Sequence, residues 1–181
     1  FKKSNIFFKN KEDEVLFIVK INDSKFFYDS KNLQNILISK NEVFKVPFKL
    51  TIKNDKFNKE IFSKLASKKV RLNIENKISY ANKIKSGLLE ILFINKDTSI
   101  QYKITKNSLE FLSNDNKDTY VGKFDFKPFY LNANFNYEGI SIKNLFDENS
   151  LFIDIINSEI LNNKNLNAYF SLNVKDITNI D

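Results

Sequence analysis

The chain has 181 residues and a formal net charge of +7, and it contains no His, Cys, Met or Trp. That composition excludes a thiol nucleophile, a histidine general base, a Cys/His metal site and any disulfide. Only carboxylate-based catalysis or an oxygen-ligated Ca²⁺ or Mg²⁺ site stays open, and no cofactor is expected.

Arg71 is the single arginine, and the lysines are spread along the chain among Asp and Glu. A nucleic-acid footprint needs a one-sided cluster with phosphate-matching arginines, so nucleic acid is not the expected partner. No run of apolar residues is long enough to span a bilayer as a helix. The absence of Met, including at position 1, suggests a processed chain or an excised segment, with any membrane attachment upstream of residue 1.

The first stretch sets Lys2 and Lys3 beside Phe7 and Phe8, a compact basic and apolar patch. Glu12, Asp13 and Glu14 read as a solvated turn. Val15 to Ile21 is more continuously apolar, broken only by Lys20, and reads as a strand covered on both faces or a central one. Phe44, Val46, Phe48, Leu50 and Ile52 then alternate with polar residues, the period of a strand with one apolar face. Pro47 lacks the N–H that a ladder needs, which predicts a strand start, a bulge or a sheet edge.

Residues 58–67 place Ile61, Phe62 and Leu65 on one stripe and predict a short amphipathic helix. Strand alternation returns at Val70, Leu72 and Ile74, and again at Ile100, Tyr102 and Ile104. Between them, Leu88 to Ile94 is another more continuously apolar run, broken only by Glu90. Ser113 to Asp118 is rich in oxygen donors but lacks the Gly and terminal Glu of a helix–loop–helix calcium loop, so it reads as a plain turn.

Phe124 and Phe126 alternate with Asp125, which is expected to face solvent. Across Pro128 the phase is open: Phe126 and Phe129 differ by three, so one of them faces outward unless a bulge intervenes. Phe129, Leu131, Ala133, Phe135 and Tyr137 continue the alternation. Weaker helical patterns follow at 141–146 and 151–160, before a last alternating strand at Leu166, Ala168, Phe170, Leu172 and Val174. With three Gly and two Pro in the chain, Asn, Asp and Ser are expected to supply the turns and the left-handed conformations.

The two proline phrases, Val46-Pro47-Phe48-Lys49-Leu50-Thr51-Ile52 and Lys127-Pro128-Phe129-Tyr130-Leu131-Asn132-Ala133, suggest a degenerate repeat. Three units are expected: strands of a partial unit over 1–39, a first β-repeat over 40–119 and a second, truncated one over 120–181. The fold class expected is mainly β, a long curled antiparallel sheet of repeated strands with a groove and one to three short amphipathic helices.

Phe124 to Leu131, Phe135 to Gly139 and the Lys143-Asn144-Leu145-Phe146 turn together resemble the repeat of the AsmA-like, TamB-related bacterial envelope proteins. The end, Asn162 to Ile177, resembles the strand that opens another such repeat. Its Lys- and Asn-rich wording resembles a version from an AT-rich marine alphaproteobacterium.

The resemblance implies a periplasmic location, an inner-membrane anchor outside this chain, and a non-catalytic apolar face that carries phospholipid between membranes. Phospholipid is the implied partner, with an envelope protein as a further one. The residues expected to line that face are Phe44, Val46, Phe48, Leu50, Ile52, Leu72, Ile74, Tyr102, Ile104, Phe124, Phe126, Phe129, Leu131, Phe135, Phe170 and Leu172. In a closed sandwich the same residues would form an ordinary core. The alternative function is a β-rich surface adhesin or envelope interaction module. A glycosidase would need two carboxylates about 5–9 Å apart in a cleft, and no pair is indicated.

Overall fold

The computed structural model describes residues 2–10, 12–93, 96–113, 118–141 and 167–178. They form one 12-stranded sheet in which every strand lies beside its neighbour in sequence. The strands are β1 (Lys2–Lys9), β2 (Val15–Asp29), β3 (Gln34–Val43), β4 (Val46–Asp55), β5 (Glu60–Ser67) and β6 (Leu72–Ser79). They continue with β7 (Lys85–Phe93), β8 (Lys96–Ile104), β9 (Ser108–Ser113), β10 (Thr119–Phe126), β11 (Phe129–Ser141) and β12 (Ala168–Thr178). Neighbours pair antiparallel throughout except β11 and β12, which run parallel.

Three parts of the expected fold class are corrected. The helix expected at 58–67 is a turn followed by β5, whose residues pair with β4 on one side and β6 on the other. The stripe Ile61, Phe62, Leu65 fits a helix, but Ile61, Ser63, Leu65 fits a strand equally well. Two flanking ladders satisfy its backbone completely, whereas an isolated helix of ten residues is marginal in water. No described residue is helical. The expected helices at 141–146 and 151–160 fall outside the described residues, apart from Ser141 at the end of β11.

The sheet is also mixed rather than wholly antiparallel. The chain between Ser141 and Ala168 is long enough for the crossover that parallel pairing needs. Finally, the sheet is open and does not curl into a groove. Its strand order is linear with β1 and β12 as separate edges, and nearly all contacts between strands join immediate neighbours. Alternation fixes which face is apolar but supplies no bend. Bending comes from bulges and glycine kinks, and among the described residues the register shifts only at Phe8/Lys9 and Ile21/Asp23.

A single open layer leaves much surface in water. The accessible area is 13081 Å², against about 9,100 Å² expected for a compact monomer of this mass. Among the described residues the buried apolar ones are few: Ile36, Val46, Phe48, Val70, Tyr120 and Ala133. Val46, Phe48 and Val70 form the main cluster, with Val43, Leu65 and Leu72 packed around it.

The hairpins turn without glycine. Phe44 and Lys45, at φ 50° and 61°, make a two-residue turn between the paired Val43 and Val46, with the left-handed pair that suits strand twist. Pro47 is therefore the second residue of β4, and Pro128 sits in the 127–128 turn before β11. Leu33, Lys59 and Arg71 also take positive φ, each as the last residue before a strand.

Asn does not occupy these left-handed positions. Instead, Asn32 and Asn58 sit one residue earlier and bind the aspartate that ends the preceding strand. Asn32 donates from Nδ2 to Asp29 Oδ2 at 2.8 Å, and Asn58 does the same to Asp55 Oδ2 at 2.9 Å.

Candidate functional site

Side chains alternate along a strand, and directly paired residues share a face. The registers therefore sort the sheet into two sides. One carries Phe8, Phe17, Val19 and Ile21 on β1–β2, then Leu37, Val46, Phe48, Leu50 and Ile52 on β3–β4. It continues through Ile61, Leu65, Leu72, Ile74, Ile78, Leu89, Ile91 and Phe93. Across β8 to β12 it presents Ile100, Tyr102, Ile104, Phe111, Phe124, Phe126, Phe129, Leu131, Phe135, Phe170 and Leu172.

Every expected lining residue except Phe44 thus occupies this apolar side. Phe44 belongs to the β3–β4 turn, its ring 6.4 Å from that of Phe17. Phe126 and Phe129 pair directly across the turn at 127–128, so the hairpin, not a bulge, brings them to one face.

Burial along this face is uneven. Val46 and Phe48 are buried, most of the others are half-buried, and Phe129, Phe170 and Leu172 are exposed. Phe124 makes edge contacts with Phe126 and Phe129 at ring centroid distances of 5.6 and 4.7 Å, and Phe135 stacks on Phe170 at 6.4 Å. These rings bury part of their area against each other and leave the rest uncovered.

Several contributors were not singled out in the sequence. Phe17, which stacks on Phe8 at 4.3 Å, and Ile78, beyond the alternation at 70–74, are two of them, while Ile61 and Leu65 were assigned to the helical stripe instead. Leu89, Ile91 and Phe93 were hidden in the run 88–94, whose Leu88 and Leu92 face the other side and are exposed.

A thin polar seam crosses the apolar side. Ser39 donates to Asn41 Oδ1 at 2.7 Å, Tyr80 to Asn54 Oδ1 at 2.9 Å and Tyr102 to Asn76 Oδ1 at 2.5 Å. Burial raises the Tyr102 phenol above its ordinary value, partly offset by the Asn76 bond. The Tyr102 ring lies over Gly87, where a Cβ would collide with it.

The opposite side carries most of the charge, although Phe7, Ile18, Phe27, Ile36, Ile38 and Phe62 also lie on it. Lys20–Glu42, Lys64–Glu75 and Lys77–Glu60 are cross-strand ion pairs at 2.9, 2.6 and 3.1 Å, and Lys123 pairs with Asp125 at 3.1 Å. As expected, Asp125 lies in opposite phase to Phe124 and Phe126, although it is half-buried.

Two hollows mark the sheet. A hollow of about 590 Å³ on the apolar side is lined by Asn54, Ile61, Ile78 and Ile104, with Lys56, Tyr80 and Lys85. One of about 910 Å³ on the opposite side is lined by Lys77, Lys103, Lys123, Glu60 and Glu110 together with the apolar Leu88, Leu112 and Val121. Its cations and carboxylates offset one another.

Among the described residues, no group of three acidic side chains could hold a metal, and no helix is long and apolar enough to cross a membrane. No protein-family model, curated protein or solved structure matches the chain.

Proposed function

We propose that this chain is a non-catalytic segment of an envelope lipid-transfer protein, and that its apolar face shields phospholipid acyl chains from water. One observation carries the reading: an apolar face that runs across the strands from Phe8 to Leu172 with no second layer over it among the described residues. Exposed apolar area of this extent is costly in water, at about 25 cal/mol per Å². A large exposed apolar patch is the usual mark of a binding surface. Acyl chains suit it because they need area and no directional bonds, while the strand backbones are already paired within the sheet. The resemblance to the AsmA-like repeat supports the same reading and implies work in the periplasm.

The test compares the two faces. Mass spectrometry of the purified chain is expected to find bound phospholipid. Phe170→Asp and Leu172→Asp, both at exposed positions of the apolar face, are expected to lose most of it with an unchanged circular dichroism spectrum. Leu112→Asp and Val121→Asp, exposed on the charged face, are expected to retain it. Absence of lipid from the wild type, or equal loss from both faces, overturns the reading. In that event, capture of an envelope protein by the same face would favour the adhesin or interaction-module alternative.

A further inference from the structure

Because the meander is strictly sequential from β1 to β11, alternate loops emerge at the same end of the sheet. One end collects the loops at 30–33, 56–59, 80–84, 105–107 and 127–128. Their sequences are Ser-Lys-Asn-Leu, Lys-Phe-Asn-Lys, Tyr-Ala-Asn-Lys-Ile, Thr-Lys-Asn and Lys-Pro. Every loop carries lysine, and none carries Asp or Glu.

Lys31, Lys56, Lys59, Lys83, Lys106 and Lys127 are all exposed. Among the described residues, none of them has a carboxylate within ion-pairing distance. The nearest acids lie at strand ends on the charged side and are engaged there. Asp29 and Asp55 accept from their own loop amides, Glu60 pairs with Lys77 and Asp125 with Lys123. The far end is mixed in charge, with Glu12, Asp13 and Glu14 in one loop and Lys68, Lys69 and Arg71 in another.

The same lysine-bearing tips hold large apolar side chains in the open. Phe57 is 83% exposed, Ile84 55% and Leu33 50%. An exposed Phe between Lys56 and Lys59, and an Ile beside Lys83, serve no purpose in the packing of the sheet. Loops two strands apart stand about 10 Å from each other, so these tips form a spaced row. The apolar hollow of about 590 Å³ opens beside it, between Lys56 and Lys85.

We propose that this row of loops is a docking edge for an anionic bilayer surface. The lysines meet lipid phosphates, and Phe57, Ile84 and Leu33 enter the boundary between headgroups and acyl chains. Juxtamembrane lysines gain from anionic headgroups over about one screening length, and the apolar tips add a component that salt does not screen. Nucleic acid would use the lysines but would leave the aliphatic tips without a role. The inference stands on the loops alone and does not need the acyl-shielding reading.

Vesicle co-sedimentation of the whole chain tests it, with phosphatidylcholine alone or mixed in equal parts with phosphatidylglycerol. Binding is expected only to the mixed vesicles. It should weaken as salt rises from about 0.1 M to 1 M, which shortens the screening length from about 10 Å to 3 Å. Reversing Lys56, Lys83 and Lys106 to Glu should lower affinity by at least about tenfold. Lys68→Glu with Lys69→Glu, at the far end, should change it little. The triple variant Leu33→Ser, Phe57→Ser, Ile84→Ser should lose the residual binding at high salt.

Equal loss from charge reversal at either end would reduce the effect to net charge and overturn the proposal. Retention by the Ser triple variant, with a duplex oligonucleotide displacing the vesicles, would make the edge a general polyanion surface and overturn it also. Leu172→Asp separates the two functional readings, because it should abolish bound lipid and leave vesicle docking intact.

Discussion

Asp118 is the most deeply buried carboxylate among the described residues, its side chain 5% exposed. Its Oδ2 contacts Lys96 Nζ and accepts from Tyr120 Oη at 3.2 Å, while Oδ1 accepts the Glu138 N–H at 2.8 Å. Burial is the largest single influence on its pKa and acts upward. Lys96, the Glu138 amide and Tyr120 together outweigh it and hold the carboxyl below the usual carboxylate range. A folded-state pKa below the unfolded one gives stability that is present above the unfolded value, about 3.9. That stability is lost as pH falls through the folded value. Asp118→Ala is therefore expected to cost about 1.5–3 kcal/mol at pH 7, with the gap from wild type closing below about pH 4. Urea midpoints measured from pH 7 downward check this, and a gap that does not narrow as pH falls below about 4 would assign the loss to packing instead. The sequence presented Asp118 only as the end of an oxygen-rich turn. Its partners Lys96 and Glu138 come from other strands, and nothing local announces them.

At the scale of single strands, much was legible. Val46 to Ile52, Ile100 to Ile104 and Phe129 to Tyr137 alternate cleanly, and those alternations place their residues on one face, whereas Phe44, expected in the same series, falls in the turn before β4. The failure at 58–67 has a specific cause, since Ile61, Phe62 and Leu65 satisfy both periods and only the flanking strands decide between them. The runs 15–21 and 88–94 hid their own phase because both faces carry apolar residues. Curvature was not legible at all, since it depends on how strands accommodate one another. Gly122 shows this dependence within the β9–β10–β11 unit. A Cβ there would collide with the Phe111 ring and lie 2.8 Å from the Asn132 carbonyl oxygen, whereas one at Gly139 would meet only the Asp176 carbonyl at 3.6 Å. A ring can swing aside, but the β11 backbone cannot do so without disturbing its ladder. Gly122→Ala should cost about 1–3 kcal/mol and Gly139→Ala no more than about 0.5 kcal/mol, read as differences in urea midpoint at constant slope.

For the whole molecule, the consequential property is that a single layer separates an apolar side from a charged one. Each loop of the lysine-bearing end is unremarkable alone, and the row emerges only when the strand count assigns alternate loops to one end. Any error in that count, such as a helix at 58–67, disperses the row. The openness of the layer governs both functional readings, because an apolar face folded onto itself has no area left for acyl chains. A compact chain of this length has a radius of gyration of about 16 Å. Small-angle scattering from the lipid-free chain is expected to give a clearly larger value, unchanged across a dilution series. The slope of stability against urea should also be lower than that of a globular domain of equal length, since it follows the area exposed on unfolding and the whole chain already leaves 13081 Å² accessible. A radius near 16 Å with a normal slope would mean that the apolar side is covered in solution, and acyl shielding would fail with it. The docking edge would survive that result, because loop tips stay at the rim whether or not the face behind them closes.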